Sequence, residues 1–315
     1  MKKLLSMLVM ASMMVFALGT MGTSAAAKAP KNDKAVVVVS FGSTFDDTRT
    51  KDIGGIEEAV AKAFPNRDFK RAFTSYIIME RLEKNKGIKV NDLPATLKEL
   101  KKVGYKDILV QPTHLLHGEE YEHKVLTTVD KFKGDFDRIV VSDPLMVGKN
   151  DFAIAASAVA TQFPTLGKGE GVVLMGHGSP RDNNQSFGNT YKMLQETFDK
   201  MGLPVVVGTV EEVDTPNVDE VLEQIKARGY KTVHMFPLMI VAGDHANNDM
   251  YGDEEDSWKS MIEKMGVKTV GHLQGIGRNA AVQAIYVQHA VAAEAGVQRL
   301  SLIHISEPTR PISIS

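Results

Sequence analysis

The chain has 315 residues, 43% of them hydrophobic and 24% charged, which is enough apolar content for one large or two ordinary globular cores and rules out a disordered chain. Lys and Arg (37) nearly balance Asp and Glu (39), and the charges are mixed rather than blocked, which argues against nucleic acid or an anionic membrane as partner. With no cysteine, disulfides and thiolate ligands are excluded, so any metal site has to be built from His, Asp and Glu.

The first residues place Lys2 and Lys3 ahead of an apolar run from Leu4 to Leu18, followed by small residues ending in Ala25, Ala26 and Ala27. That pattern predicts a secretory signal peptide over 1–27, cleaved after Ala27, and hence a periplasmic protein. A membrane anchor is the alternative, but the run is short for a span of roughly 20 residues, and no cysteine follows it to carry a lipid.

From Lys28 to about Gly296, short β-branched runs alternate with amphipathic segments. Strands are predicted at 35–40, 107–112, 138–143, 171–176, 204–210 and 232–237; between them, IEEAVAKAF, ATLKELKKVG and NVDEVLEQIKARG repeat apolar residues every three or four. Continuous apolar strands alternating with helices indicate an α/β chain with parallel sheets covered on both faces. The last stretch, 298–315, has no usable periodicity and resembles translated vector read-through, so it is set aside as a non-native tail together with His304.

A long internal repeat sets the domain organisation. GYKDILVQPTHLLHGEEYEH from Gly104 matches GYKTVHMFPLMIVAGDHANN from Gly229, and VVVVSFGS ending at Ser43 matches VVLMGHGS ending at Ser179. Two similar α/β domains follow, 28–150 and 151–297, with a boundary between about Gly148 and Gly167. Ligands of open α/β sheets sit beyond the carboxyl ends of the strands, and the matched segments are strand exits, so the two halves can face one cleft. There Phe41 lies over His177 and Glu120 over His245, an asymmetric chemistry on a repeated frame.

His177, in MGHGSP, follows a strand and sits between two glycines, which lets the imidazole stand clear in a cleft; the alternative is a turn histidine satisfied by its neighbours. His245, in AGDHANND, follows the matching strand. If a helix starts there, its positive end favours the neutral ring that metal ligation or proton acceptance requires; otherwise Asp244 is a cap and His245 a surface residue. Glu211 and Glu212 close the run VVVGTV, where adjacent side chains point to opposite faces, so one of them, Glu211 by preference, faces the cleft. PTHLLHGEEYEH holds His114, His117, Glu119, Glu120 and His123, too spread over strand exit, turn and helix to converge on one metal. Glu120 is singled out by the repeat. His123 falls on an outward helix face, as a surface residue or as a second ligand site or subunit contact. His234 reads as a core residue, and His272 and His289 lack supporting neighbours. GIGRN at Gly275 is no dinucleotide fingerprint, and neither a P-loop nor a G-x-S-x-G elbow occurs.

VVVVSFGST, RAFTS, HGEEYEH, MGHGS, GTVE and FPLMIVAGDHANNDM followed by DSWK resemble the anaerobic cobalt chelatases of vitamin B12 biosynthesis of the CbiK type, related in fold to ferrochelatase; the resemblance covers Lys34 to Ala295. It implies ATP-independent insertion of Co2+ into sirohydrochlorin in a cleft between two α/β domains. It also implies metal ligation by His177, His245 and Glu211 and a catalytic role for Glu120 alongside the two histidines. This sequence reads EVDTP after Glu211, where the family has fewer residues before the proline, so Glu212 stays in competition with Glu211. Phe41, Leu115, Leu116, Met239 and Ile240 are candidates to line the cleft against the ring, and Arg71 or Lys124 to hold its carboxylates. The same ligands accept Fe2+ and Ni2+, as in a ferrochelatase or nickel chelatase. A signal peptide on such a frame opens a second class, an exported tetrapyrrole, haem or metal-binding protein, with His123 as ligand to haem. The resemblance also allows a homo-oligomer.

Overall fold

A computed structural model describes residues 32–179, 189–211 and 214–297. Two four-stranded, all-parallel sheets form the frame. The first contains β1 (Lys34–Ser40), β2 (Asp68–Phe73), β3 (Asp107–Pro112) and β4 (Arg138–Val141) in the order β2-β1-β3-β4. The second contains β5 (Glu170–Gly176), β6 (Val205–Thr209), β7 (Thr232–Leu238) and β8 (Lys268–Gly271) in the order β6-β5-β7-β8. The orders correspond strand for strand, so the repeat read from the sequence is a repeat of topology.

All six predicted strands are present. The runs AVVVV and GVVLM form the inner strands β1 and β5, each buried on both faces as parallel pairing under helices requires. The two strands not predicted, β2 and β8, lie at sheet edges. DFKRAF carries Asp68, Lys70 and Arg71, and KTVG is four residues long; edges favour charge and brevity, which erases the apolar signature. The three predicted helices appear as Gly54–Ala63, Leu93–Val103 and Val218–Arg228. Asp92 caps the second through Ala95 N–H at 2.7 Å, and Asn217 and Glu220 cap the third reciprocally. Among the described residues no helix is long and apolar enough to cross a membrane.

The halves share a core. Alternate residues of the inner strands, Val36 and Val38 in one sheet and Val172 and Leu174 in the other, pack into one apolar cluster with Phe152, Phe198, Phe236 and Tyr286. The last helix, Ala280–Glu294, follows β8 yet packs against the Gly54–Ala63 helix and against β3 and β4 of the first sheet. Its end is anchored by charge: Arg67 Nη2 donates to both Glu294 carboxylate oxygens, at 2.8 and 2.7 Å, and Arg138 Nη1 to Glu294 Oε2 at 3.0 Å. The Arg67 side chain is fully buried, so losing Glu294 would leave its charge to Asp107 alone.

Asp52, fully buried after β1, ties the halves together at the cleft. Its carboxylate accepts the Ala242 N–H at 3.3 Å and the Gly275 N–H at 3.2 Å, and pairs with Arg278 Nε. Burial pushes its pKa up, with Arg278 opposing. The GIGRN stretch thus has a structural reason for its glycines: a Cβ on Gly275 would stand 2.2 Å from the Ile240 carbonyl oxygen, and one on Gly277 would stand 2.6 Å from that of Asp52. Replacing Asp52→Ala strands two buried backbone donors and the Arg278 guanidinium. The expected cost is about 3 kcal/mol in urea unfolding, and an unchanged midpoint would contradict the clamp.

Candidate active site

His177 leaves the end of β5 on a tightly built turn. Gly176 lies against the Tyr191 ring, which a Cβ would meet at 2.2 Å, and the Gly178 N–H donates to the Tyr191 hydroxyl at 3.1 Å. Gly178 has φ +95°, a left-handed conformation that favours glycine, and a Cβ there would press on Glu211 Cβ at 3.0 Å. The glycine therefore serves two ends: it turns the chain so that the imidazole projects, and it lets the Glu211 segment come close. Glu211 N–H donates to the His177 carbonyl at 3.1 Å, and buried Asp214 accepts the Ser179 N–H at 2.6 Å and Asn189 Nδ2 at 2.7 Å, fastening the loop after β6 to the turn after β5. β6 ends at Thr209, so Glu211 follows the strand rather than closing it, and strand alternation does not decide its direction. Glu212 lies outside the described residues.

His245 lies further along the loop that leaves β7 and precedes a short helical turn, Ala246–Met250. It makes no side-chain cap, and its ring is oriented by Asp249, whose Oδ2 lies 2.7 Å from Nδ1. A carboxylate only accepts, so Nδ1 carries the proton and Nε2 keeps its lone pair. The same holds for His177, whose Nδ1 lies 3.1 Å from the Gly178 carbonyl oxygen. The two half-exposed rings meet edge to face, centroids 4.9 Å apart and planes at 82°, and His177 Nε2 is 3.8 Å from Glu211 Oε1. The structure thus gathers His177, His245 and Glu211. Among the described residues no group of three or more His, Cys, Asp or Glu side chains is disposed to enclose a metal ion, so what is present is an open arrangement of two free imidazole nitrogens beside a carboxylate.

His177 and His245 face a cleft of about 370 Å³ between the halves; Glu211, expected from the sequence to face it too, stands beside His177 but is not among the lining residues. Across it, from the first sheet, come Phe41, Leu115, Leu116 and Glu120, with Met239 and Ile240 from the second. Glu120 accepts a hydrogen bond from the Thr74 hydroxyl at Oε1, which leaves its other oxygen for a ligand. His114 also lines the cleft, with both ring nitrogens buried and without a hydrogen-bond partner; burial lowers its pKa, and the charge of Glu120 opposes.

Other sequence candidates lie elsewhere. His123 is exposed, outside the cleft lining, with Nε2 3.9 Å from Glu119 Oε1. His117 packs edge-on against Tyr121. Arg71 is not a rim residue: it is held by Glu57 beside β2, with Nε 2.6 Å from Oε1. Lys124 sits over the Tyr76 ring at 4.8 Å, and no Lys or Arg is found among the described lining residues. His272, expected to lack neighbours, hydrogen-bonds His234 across β7 and β8 at 3.0 Å and stacks on Phe236 at 4.1 Å. His289 is buried, with Nδ1 3.4 Å from the Asp143 carbonyl oxygen. The residues that reading the sequence missed are the supports: Asp249 spaced one helical turn from His245, which was a recoverable signal, and Asp52 and Asp214, which were not.

A family model described as cobalt chelatase (CbiK) matches residues 34–294. The chain belongs to this cobalt chelatase family. It is 37% identical over 256 residues to a sirohydrochlorin cobaltochelatase of Salmonella typhimurium, covering 81% of this chain and 94% of that one. It is 30% identical over 269 residues to the sirohydrochlorin cobaltochelatase CbiKC of Nitratidesulfovibrio vulgaris, covering 84% and 92%. Among solved structures it resembles SirB from Bacillus subtilis with Fe3+ (TM-score 0.55, 17% identity, 84% of this chain and 96% of that one). A SirB complex with cobalt, from Bacillus subtilis subspecies spizizenii, gives a TM-score of 0.53 at 16% identity, covering 83% and 95%. At those identities the SirB structures bear on the fold, which they share with this two-domain α/β chelatase frame.

If Asp249 fixes the ligating tautomer of His245, Asp249→Ala is expected to weaken Co2+ binding about 10- to 100-fold in an absorbance titration, with the fold retained. Unchanged affinity would reduce Asp249 to a helix-turn contact.

Proposed function

We propose that this cobalt chelatase inserts Co2+ into sirohydrochlorin without nucleotide hydrolysis, the metal being delivered by His177 and His245 with Glu211 beside them. The observation that carries this reading is the pair of Nε2 lone pairs, both left free by Nδ1 hydrogen bonds, opening on one cleft that has a carboxylate on its far side. Metallation needs an ion held by few, exchangeable ligands while two pyrrole N–H protons are removed. Two neutral imidazoles meet the first requirement, because they bind a divalent ion without neutralising it or surrounding it. Glu120, from the opposite half, meets the second as proton acceptor. The apolar walls, Phe41 and Leu115 on one side and Met239 and Ile240 on the other, suit the faces of a flat macrocycle.

Fe2+ and Ni2+ are accepted by the same donors, and cobalt has no intrinsic advantage over nickel in the affinity order. The homologues' names favour cobalt. The leader pattern over residues 1–27 supports a periplasmic location for the reaction, which cell fractionation tests by detecting there a chain lacking residues 1–27. His123, exposed outside the cleft, is the residue on which an exported haem-binding role would rest, at a contact between copies. Such a role requires the Soret band of protein from a haem-replete host to be lost in His123→Ala; an unchanged band removes it.

The chelatase reading is tested by anaerobic metallation of sirohydrochlorin with Co2+, Fe2+ or Ni2+, followed by the macrocycle spectrum. Co2+ insertion is expected to be accelerated, and His177→Ala and His245→Ala each to reduce kcat about 100-fold. Full rates in both variants would move the site elsewhere.

A further inference from the structure

Among the described polar side chains lining the cleft, His114 is the one with both ring nitrogens buried and without a hydrogen-bond partner, and metal delivery leaves it unused. It follows β3 directly, and its backbone is held from two sides: its carbonyl accepts the Leu145 N–H at 2.9 Å and the Tyr286 hydroxyl, from the last helix, at 3.1 Å. The ring lies 5.9 Å from that of Tyr121, tilted at 55°. A neutral imidazole has one donor and one acceptor nitrogen, and buried polar atoms are normally matched. Here neither nitrogen has a hydrogen-bond partner, although the same cleft wall places Glu120 close enough for its charge to act on the ring. Titratable groups on the same wall include Glu119, Glu120 and Tyr121, whose hydroxyl reaches the Ser142 carbonyl at 3.3 Å; Tyr286 donates to the His114 carbonyl, and His117 is one ring further out, against Tyr121. No Lys or Arg among the described lining residues competes for Glu120.

We infer that His114 is the proton store behind Glu120, so that the first half of the molecule collects both protons displaced from the macrocycle while the second half delivers the metal. The inference rests on the chelatase reading of the cleft. As the first pyrrole N–H bond breaks, its electron pair stays on nitrogen and becomes a bond to Co2+, and the proton goes to the Glu120 carboxylate. Passing that proton to the free ring nitrogen of His114 makes an imidazolium and restores the carboxylate, which takes the second pyrrole proton in the same way. Two protons have then moved to one imidazole and one carboxylate, and the macrocycle has exchanged them for one Co2+. A buried imidazolium is stable only beside an anion, so Glu120 passes the second proton on to water as product leaves, and His114 then returns its own proton through the restored carboxylate.

His114→Gln keeps a side chain of similar bulk but cannot be protonated at the pH of the assay. With wild-type protein, sirohydrochlorin and Co2+ as probes, the variant is expected to bind Co2+ as tightly as wild type and to show about 100-fold lower kcat with little change in either KM. The decisive readout is the pH profile of kcat. Wild type should lose rate on the acid side as His114 takes a proton from solvent, and the variant should lack that limb. Wild-type kcat in the variant, or a reduced kcat that keeps the wild-type acid limb, would overturn the inference. A wild-type protein that fails to metallate sirohydrochlorin would overturn the chelatase reading itself, a result separate from an active wild type matched by an active His114→Gln.

Discussion

The Asp52 carboxylate is the contact on which the geometry of the cleft depends. It is fully buried and belongs to the first half, yet the groups it binds, Ala242, Gly275 and Arg278, are all in the second. Ala242 lies in the loop that leaves β7 and carries His245, so the placement of that imidazole relative to Glu120 and Phe41 is set by a charge held between the halves. The loop is braced again by backbone bonds, Ile276 N–H to the Met239 carbonyl at 2.9 Å and Gly277 N–H to the Ile240 carbonyl at 3.0 Å. Close approach of this kind explains glycines at 275 and 277 better than any nucleotide motif does. A buried carboxylate is costly unless its lone pairs are filled, and here two amides and a guanidinium fill them.

On that frame the chemistry is divided unevenly between equivalent positions. The exits of β5 and β7 provide imidazoles; the corresponding exits of β1 and β3 provide Phe41 and the segment with His114 and Glu120. Each of the two cleft histidines has its Nδ1 facing a local acceptor, a backbone carbonyl for His177 and Asp249 for His245, so both present a lone pair without a conformational search. On the proposed reading, an ion held this way would be open to exchange, which a delivery site needs and a structural metal site avoids.

Much of this was legible in the sequence because the signals were local and repeated. Six strands with Val-rich interiors, the matched strand exits and the His177 and His245 positions all follow from short-range pattern. The edge strands β2 and β8 did not, since charge and brevity at sheet edges remove the apolar run that marks a strand. Nor did pairings between distant residues: His272 with His234 and Phe236, Arg67 and Arg138 with Glu294, and Asp52 with Arg278 are set by packing that no spacing encodes. Arg71 and Lys124 illustrate the converse, where charge near a motif suggested a substrate contact and the fold gave each a nearby partner, Glu57 and Tyr76.

The central claim is that one divalent ion sits between the free nitrogens of two imidazoles from the second half. Crystals soaked anaerobically in Co2+ and measured on both sides of the cobalt absorption edge test it most directly. The account predicts one anomalous peak within bonding distance of His177 Nε2 and His245 Nε2, on the side of Glu211. A cobalt peak bound elsewhere in the cleft, or at Nδ1 of either ring with its present hydrogen bond broken, would contradict it.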